Sequence, residues 1–387
     1  MTSKLLKKGL EIELYGGKVN GEILPLSTEL SEKFPYISQE PDQRNFEYIT
    51  NPCKDYHELF CEIIKPRLDI RNYLNGHGKN KDLTLIPGST MSLPFSKDYF
   101  YSKKEDPYHE FILNTYKTRV ITTSIHINIG IDNYEHLFKL LCTLRLDVPL
   151  FLALSASSPF HDGKVTGFNS YRWHSFPKTP EFVPFFTNHD DYIKWINEQL
   201  AVKNILNVRH LWTSIRPNGP NRPYDLNRIE IRICDLVTDI KKTLGIVALV
   251  ECIVQKYLLE NNWPKILDKN QNDLNKLVKI MEEQEELVAK DGLNAKIWDW
   301  RNDSKIEAYK LIEYLYKDLG SIAEQSGILK YLNTIPDILK DGNEATQFIN
   351  MYNKTKSIPK TIQHFAEQFT NMDFEYGKML RNPIETT

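Results

Sequence analysis

What this chain of 387 residues lacks narrows its class before any motif is sought. It has no excess of charge. Its 49 Lys and Arg stand against 51 Asp and Glu, a formal net charge of -2 with a pI near 6.6, so there is no broad basic surface to hold nucleic acid by its phosphates. It has no paired cysteines. Cys53, Cys61, Cys142, Cys234 and Cys252 are scattered; their odd number and the absence of C-x-x-C argue against a disulfide framework or a zinc knuckle, and suit small hydrophobes in a reducing compartment. It has no uninterrupted apolar run. LFKLLCTLRLDVPLFLALSASSPF is broken by Lys139, Arg145 and Asp147, and TLGIVALVECIVQKYLLE by Glu251 and Lys256, so neither is a membrane span. The opening MTSKLLKKGLEIELYGG has lysines but no apolar signal-peptide core, and a cytoplasmic location is expected. Familiar phosphate and zinc signatures are missing too: no G-x-x-x-x-G-K-[ST] occurs, GHGKNK at 76 fails G-x-G-x-x-G, and no helical H-E-x-x-H is present.

What is present is globular: 41% hydrophobic and 26% charged residues, with length for two to three domains or one large one. Up to residue 240 short strand-like runs alternate with loops rich in Gly, Pro and Asn. Beyond it the pattern is helical, over 241–260, 271–290 and 304–326, with shorter helices after. Sheet first and helices later predicts an α+β architecture rather than a βαβ parallel sheet. The expected organisation is a sheet-based core over 1–240 and a helical region over 241–387 packed on it as one integrated domain. The charge-rich run Glu282–Glu286 reads as a solvated helix face.

ITTSIHINIGID, 121–132, alternates without a fault. Ile125, Ile127, Ile129 and Ile131 make one face, and Ser124, His126, Asn128 and Gly130 the other. By itself this favours a half-buried strand with a solvated polar side. Other segments repeat the pattern. In GLEIELYGG, Glu11 and Glu13 project opposite Leu10, Ile12 and Leu14, about 7 Å apart along the strand. In RIEIRICD, Arg228, Glu230 and Arg232 oppose Ile229, Ile231 and Ile233. EPDQRNFEYIT carries Asn45 and Glu47 on one face, with Glu40 and Asp42 upstream, and HLWTSIRPNG adds Ser214 and Arg216.

If these strands share one antiparallel sheet, its polar face gathers Glu11, Glu13, Glu47, His126, Asn128, Glu230 and Arg232. Clustered carboxylates raise one another's pKa unless cations neutralise them. Oxygen donors with a single histidine suit Mg²⁺ or Mn²⁺ better than zinc. Carboxylate-held divalent ions with arginines are the ingredients of phosphoryl transfer. Two loops supply arginines suited to forked contact with phosphate or carboxylate: SASSPFHDGKVTGFNSYRW with Arg172, and RPNGPNRPYDLNR with Arg216, Arg222 and Arg228.

In order along the chain, GLEIELYGG, EPDQRNFEYIT, ITTSIHINIGI, LFLALSASSPFHDGKVTGFNSYRW and VRHLWTSIRPNGPNRPYDLNRIEIRICDLVTD resemble successive blocks of the glutamate-cysteine ligase and carboxylate-amine ligase superfamily, above all its cyanobacterial-type glutamate-cysteine ligases. A weaker echo follows at AKDGLNAKIWDWRND. The resemblance implies a glutamine synthetase-like catalytic fold, with six antiparallel strands bent into a funnel and helices packed on the outer face. It also implies ATP-dependent joining of L-glutamate, through its γ-carboxylate, to the amine of L-cysteine by way of a γ-glutamyl phosphate, the first step of glutathione biosynthesis. By motif, it makes Glu11, Glu13, Glu47, His126 and Glu230 metal ligands, with Asn45 and Asn128 nearby and either Glu40 or Asp42 as a further acid. Arg232 and Glu230 become catalytic, Arg216, Arg228 and Arg232 contact the nucleotide, and Arg172 and Ser170 bind substrate.

Three other readings remain. A carboxylate-amine ligase with a different acid or amine would have the same fold and polar face. A metal-dependent hydrolase would use the acids and histidine without ATP. A non-catalytic sheet module would need none of them.

Overall fold

The alternating segments pair because each buries one apolar side against helices, and their backbones find hydrogen-bond partners only in one another. In the computed structural model, which describes residues 5–76, 82–103, 107–116 and 121–381, eleven strands are formed. Of GHGKNK only Gly76 lies among these residues, and the first four residues of the chain do not. Seven strands make one sheet: β1 (Lys8–Lys18), β2 (Ile37–Gln39), β3 (Asn45–Ile49), β4 (Leu83–Ile86), β5 (Ile125–Gly130), β8 (Ile215–Asn218) and β9 (Arg228–Ile231). Two small hairpins lie apart, β6 (Phe160–His161) with β7 (Lys164–Val165), and β10 (Lys296–Asp299) with β11 (Ser304–Glu307).

The sheet runs β2-β3-β1-β5-β9-β8, with β4 pairing the second half of β1, and every pairing is antiparallel. The expected α+β class with an antiparallel sheet is therefore what forms, with seven strands among the described residues instead of six. Register decides the site. Glu13 faces Glu47 across β1 and β3, Glu11 faces His126 across β1 and β5, Asn128 faces Glu230, and Glu230 faces Arg216. One row of chemistry thus crosses five strands.

The opposite face is apolar, as alternation predicts: Leu10, Ile12, Ile125, Ile127, Ile129, Ile229 and Ile231 are all buried. They share a core with the two most apolar helices, Tyr134–Ser155 and Ile240–Glu260. Asn133 caps the first by accepting from the His136 amide at 2.8 Å, and Asp239 caps the second by accepting from the Lys241 amide at 2.9 Å. Both are buried along most of their length, which is why their sequences resemble membrane segments; no described helix is long and apolar enough to cross a membrane. Each core leucine or isoleucine contributes about 1.5–3 kcal/mol. The same core takes in Leu319 and Phe369 from later helices.

Two expectations fail locally. The helix expected over 304–326 runs Ala308–Gln325, because Ser304–Glu307 instead pairs with Lys296–Asp299 across a turn in which Asp303 adopts a left-handed φ of 49°. The run Glu282–Glu286 is a solvated face only in part: Glu283 and Glu286 are exposed, but two of its residues turn inward. Gln284 and Glu285 are 4% exposed, and Glu285 accepts from Trp173 Nε1 at 3.2 Å as the helix Gln271–Asp291 packs on Tyr171–Ser175. All five cysteines are free, and four are buried.

Candidate active site

Glu47, Glu13, Glu11, His126 and Arg216 of this row line a cavity of about 470 Å³, while Asn128 and Glu230 are buried and do not line it. The outer face of β5 is therefore not solvated: Ser124, His126 and Asn128 are each less than a tenth exposed. Antiparallel pairing brings His126 to the centre. Its Nδ1 lies 3.0 Å from Glu11 Oε2 and 3.7 Å from Glu230 Oε1, while its Nε2 lies 3.0 Å from the Ser124 hydroxyl and 3.9 Å from Glu13 Oε1. Ser124 donates onward to Glu13 at 2.7 Å. Two groups share this histidine, Glu11–His126–Glu230 and Glu13–Glu47–His126, each with one potential ligand atom per residue within 4.8 Å of the others.

Glu230 is fully buried beneath a fork of donors. Arg216 Nε and Nη2 reach its two oxygens at 2.7 and 3.0 Å, Asn218 adds a bond at 2.7 Å, and Arg232 Nη1 binds Oε1. Asn128 is engaged at both ends, donating to Glu11 at 3.1 Å and accepting from Arg228 Nε at 3.1 Å. Asn45 is not. Its amide donates to the Thr122 carbonyl at 2.9 Å, but its buried Oδ1 has no hydrogen-bond partner among the described residues.

Burial is the largest influence on four of these carboxyls and pushes each pKa up. At Glu40 the charge of Glu13 adds to burial against the pull of Arg232, and the pKa is pushed up to about 8. At Glu47 the charges of Glu40, Glu11 and Glu13 add to burial and carry it well above the ordinary range. At Glu11 burial and the charge of Glu230 are outweighed by His126 and Arg232, so its pKa is lowered. At Glu230 burial yields to Arg216 and Arg232, which hold it well below the usual range.

Glu40, not Asp42, faces the cavity. Asp42 is fully buried, with its carboxylate bound by Arg44 Nε at 2.7 Å and Nη2 at 2.8 Å and by the Phe100 amide at 3.1 Å. That pair ties down the loop 96–103, because Arg44 also donates to the Ser96 and Asp98 carbonyls. Tyr99, Tyr101 and Lys103 thereby reach the cavity wall. Nothing in the sequence marked them, since a loop has no alternation to read. Arg209, in the short 3-10 turn Val208–His210, likewise carries no alternation signal, whereas Trp212 shares the parity of Ser214 and Arg216 but its residue type alone does not mark a site.

The SYR block differs from expectation. Ser170 does not line the cavity: it is fully buried, caps the short helix Tyr171–Ser175 and donates to Asp235 Oδ1 at 2.9 Å. Arg172 reaches the cavity wall but is only 2% exposed. Its Nη1 and Nη2 donate to the carbonyls of Ile233 and Arg232, each at 3.1 Å.

Comparison with known proteins decides the family. The profile of glutamate-cysteine ligase family 2 matches residues 8–364. The chain belongs to glutamate-cysteine ligase family 2. A relative from Solibacter usitatus, named "Putative glutamate--cysteine ligase 2", is 26% identical over 346 residues, 88% of this chain and 84% of its own. The fold is shared with the bifunctional glutathione synthetase of Pasteurella multocida (TM-score 0.74, 16% identity, 97% of this chain and 53% of that one). It is shared as well with the glutamate-cysteine ligase of Francisella tularensis solved with AMP (TM-score 0.73, 13% identity, 97% and 93%). This glutamate-cysteine ligase family member is an ATP-dependent ligase that joins a carboxylate to an amine as an amide, acting on small molecules. The hydrolase and non-catalytic readings are set aside.

Proposed function

We propose that the chain is a glutamate-cysteine ligase, joining the γ-carboxylate of L-glutamate to the amine of L-cysteine with release of ADP and phosphate, as the first step of glutathione biosynthesis. The observation that carries this reading is the division of charge over one cavity: acids on β1, on β3 and just after β2, arginines on β8, on β9 and in the loop between them. The names of the sequence relatives and the AMP held by the Francisella neighbour support it.

In the first step a γ-carboxylate oxygen attacks the terminal phosphorus of ATP, the bond to the bridging oxygen breaks, and ADP leaves. In the second the amine attacks the acyl carbon of the γ-glutamyl phosphate, loses a proton, and phosphate leaves. Both partners of the first step are anions, so their repulsion must be offset where they meet. Arg232, beside Glu230 and 3.4 Å from His126, is placed to meet the charge of the phosphoryl group in transit.

The residues present fit a divalent ion. The donors are mainly hard oxygens, as Mg²⁺ prefers, with one histidine that Mn²⁺ tolerates, and the buried Asn45 Oδ1 has no hydrogen-bond partner among the described residues. Glu11, Glu13, Glu40, Asn45, Glu47 and His126 would hold it. When bound, the ion neutralises the triphosphate and the acids around it. Glu230 and Asn128, whose atoms are already engaged by arginines and Asn218, position Arg216, Arg232 and Glu11. Arg228 lines the cavity beside them and is available to a nucleotide. The test is a product-identified assay with ATP, Mg²⁺, glutamate and each amine in turn. If cysteine proved no better than other amines, the chain would be a carboxylate-amine ligase of different specificity.

A further inference from the structure

Asp235 is fully buried and does not line the cavity, so no substrate meets it there. Its side chain is nonetheless a junction. Oδ2 accepts from the Ser157 amide at 2.9 Å and from the Ser158 hydroxyl at 2.7 Å, and Oδ1 accepts from the Ser170 hydroxyl at 2.9 Å. Arg172 Nη1 lies 3.6 Å from Oδ1. All four partners are donors, which suits an ionised carboxylate, and that charge is what a guanidinium only 2% exposed requires beside it. The two hydroxyls work in both directions: Ser158 also accepts from the Arg172 amide at 3.1 Å, and Ser170 from the Trp173 amide at 3.2 Å. Asp235 thus holds Arg172 by its charge and by its backbone.

Arg172 passes that order toward the cavity. Because β9 ends at Ile231, the backbone of Arg232 lies just past the end of the strand. Its amide donates to the Ser214 carbonyl at 2.8 Å. Its carbonyl, like that of Ile233, accepts from the fork of Arg172 at 3.1 Å. We infer that Asp235 is a positioning residue for Arg232, holding through Arg172 the backbone from which that guanidinium projects into the cavity. The inference rests on the phosphoryl-facing role proposed above for Arg232. A charge-stabilising group displaced by about 1 Å can cost on the order of 100-fold in rate, so a clasp behind the cavity wall has leverage on the chemistry. Ser170, to which the resemblance gave substrate, belongs to this clasp. The backbone of Asp235 also bridges to Ser124, a contact that survives a change of side chain, so Asp235→Asn removes the charge and leaves the chain path in place.

The test measures ADP release with glutamate and cysteine by the wild type, Asp235→Asn, Arg232→Lys and the double variant. Asp235→Asn should lower kcat by about 10- to 100-fold, with KM for ATP and for glutamate changed less than about threefold. In the Arg232→Lys background the same change should lower kcat by less than about threefold, since the group it positions is already gone. A general loss of folded structure would cut kcat by equal factors in both backgrounds, and that result overturns the assignment. So does a rise in the glutamate KM at unchanged kcat, which would place Arg172 on the substrate instead. If Asp235→Asn yields no folded protein, Ser170→Ala, which takes one donor from Oδ1, carries the same comparison. It should lower kcat by about 3- to 10-fold beside Arg232 and leave it unchanged in the Arg232→Lys background, and equal losses in both overturn the assignment. Full activity in Arg232→Lys overturns the role of Arg232, and no ADP release by the wild type overturns the proposed reaction; either result removes the assignment of Asp235 with it.

Discussion

Metal-free protein should become less stable as pH rises from about 5 to 8, and divalent ions should reverse that loss. The cause is the acid end of the cavity. Glu40 is pushed up to about 8, and Glu47 also titrates well above its ordinary value. A carboxyl whose pKa is raised by folding binds its proton more tightly in the folded state. Its stabilising effect is complete below the unfolded value near 4.5 and is lost as pH climbs through the raised one. For Glu40 alone the unscreened cost above pH 8 is on the order of 5 kcal/mol. Water in the cavity and proton sharing among neighbouring acids reduce the expected loss to about 1–2 kcal/mol, or roughly 1–2.5 °C in Tm for a chain of 387 residues. Mg²⁺ at a hundred times its Kd would return about 2.7 kcal/mol. The assay is thermal unfolding between pH 5 and 8, with EDTA or with Mg²⁺, for the wild type, Glu40→Gln and Glu47→Gln. The variants should be more stable than the wild type in EDTA at pH 8 and should gain less from Mg²⁺. A flat metal-free profile, or equal stabilisation by Mg²⁺ at pH 5 and pH 8, would refute the reasoning. Glu11 and Glu230, with lowered pKa values, act in the opposite sense and lose their contribution only as pH falls below about 4.5.

Glu13→Ala should abolish ligation while leaving the far-ultraviolet circular dichroism and Tm close to wild type; activity surviving at ordinary Mg²⁺ would count against the metal assignment. Glu230→Ala should cost stability as well as activity, about 3–5 kcal/mol by urea unfolding, because it leaves Arg216 and Arg232 without their buried counter-charge. Asp373→Ala should similarly loosen the C-terminal helix Ile358–Arg381, since Asp373 neutralises both Arg67 and Arg71; faster hydrogen exchange along that helix would report it. Ile127→Asp places an unpaired charge at a position 1% exposed and should yield no folded protein, measured as loss of soluble monomer.

Much was legible because the period-2 pattern is a local property of the chain. A strand buries one side or the other, so pure isoleucine faces at Ile125–Ile131 and Ile229–Ile233 fixed which residues faced away from the core. The ordered blocks that carry the resemblance pointed to the family that the profile match then assigned. Where the local pattern was ambiguous the reading slipped. Ser304–Glu307 looked helical until pairing with β10 claimed it, and Glu285 looked solvated until Trp173 packed over it.

The sequence alone determined the strands, their polar and apolar sides, and the residue types available for chemistry, since each of these depends on neighbours only a few positions apart. Tertiary structure decided which polar groups remained open to a ligand. Glu40 faces the cavity while Asp42 closes a loop, and Ser170 and Arg172 turn inward to Asp235 and backbone carbonyls. The reason is that hydrogen-bond capacity is finite. Whether a given guanidinium or carboxylate is already satisfied depends on partners that are often dozens of residues away and, for Arg71 and Asp373, 302 residues away, which only the folded chain brings together.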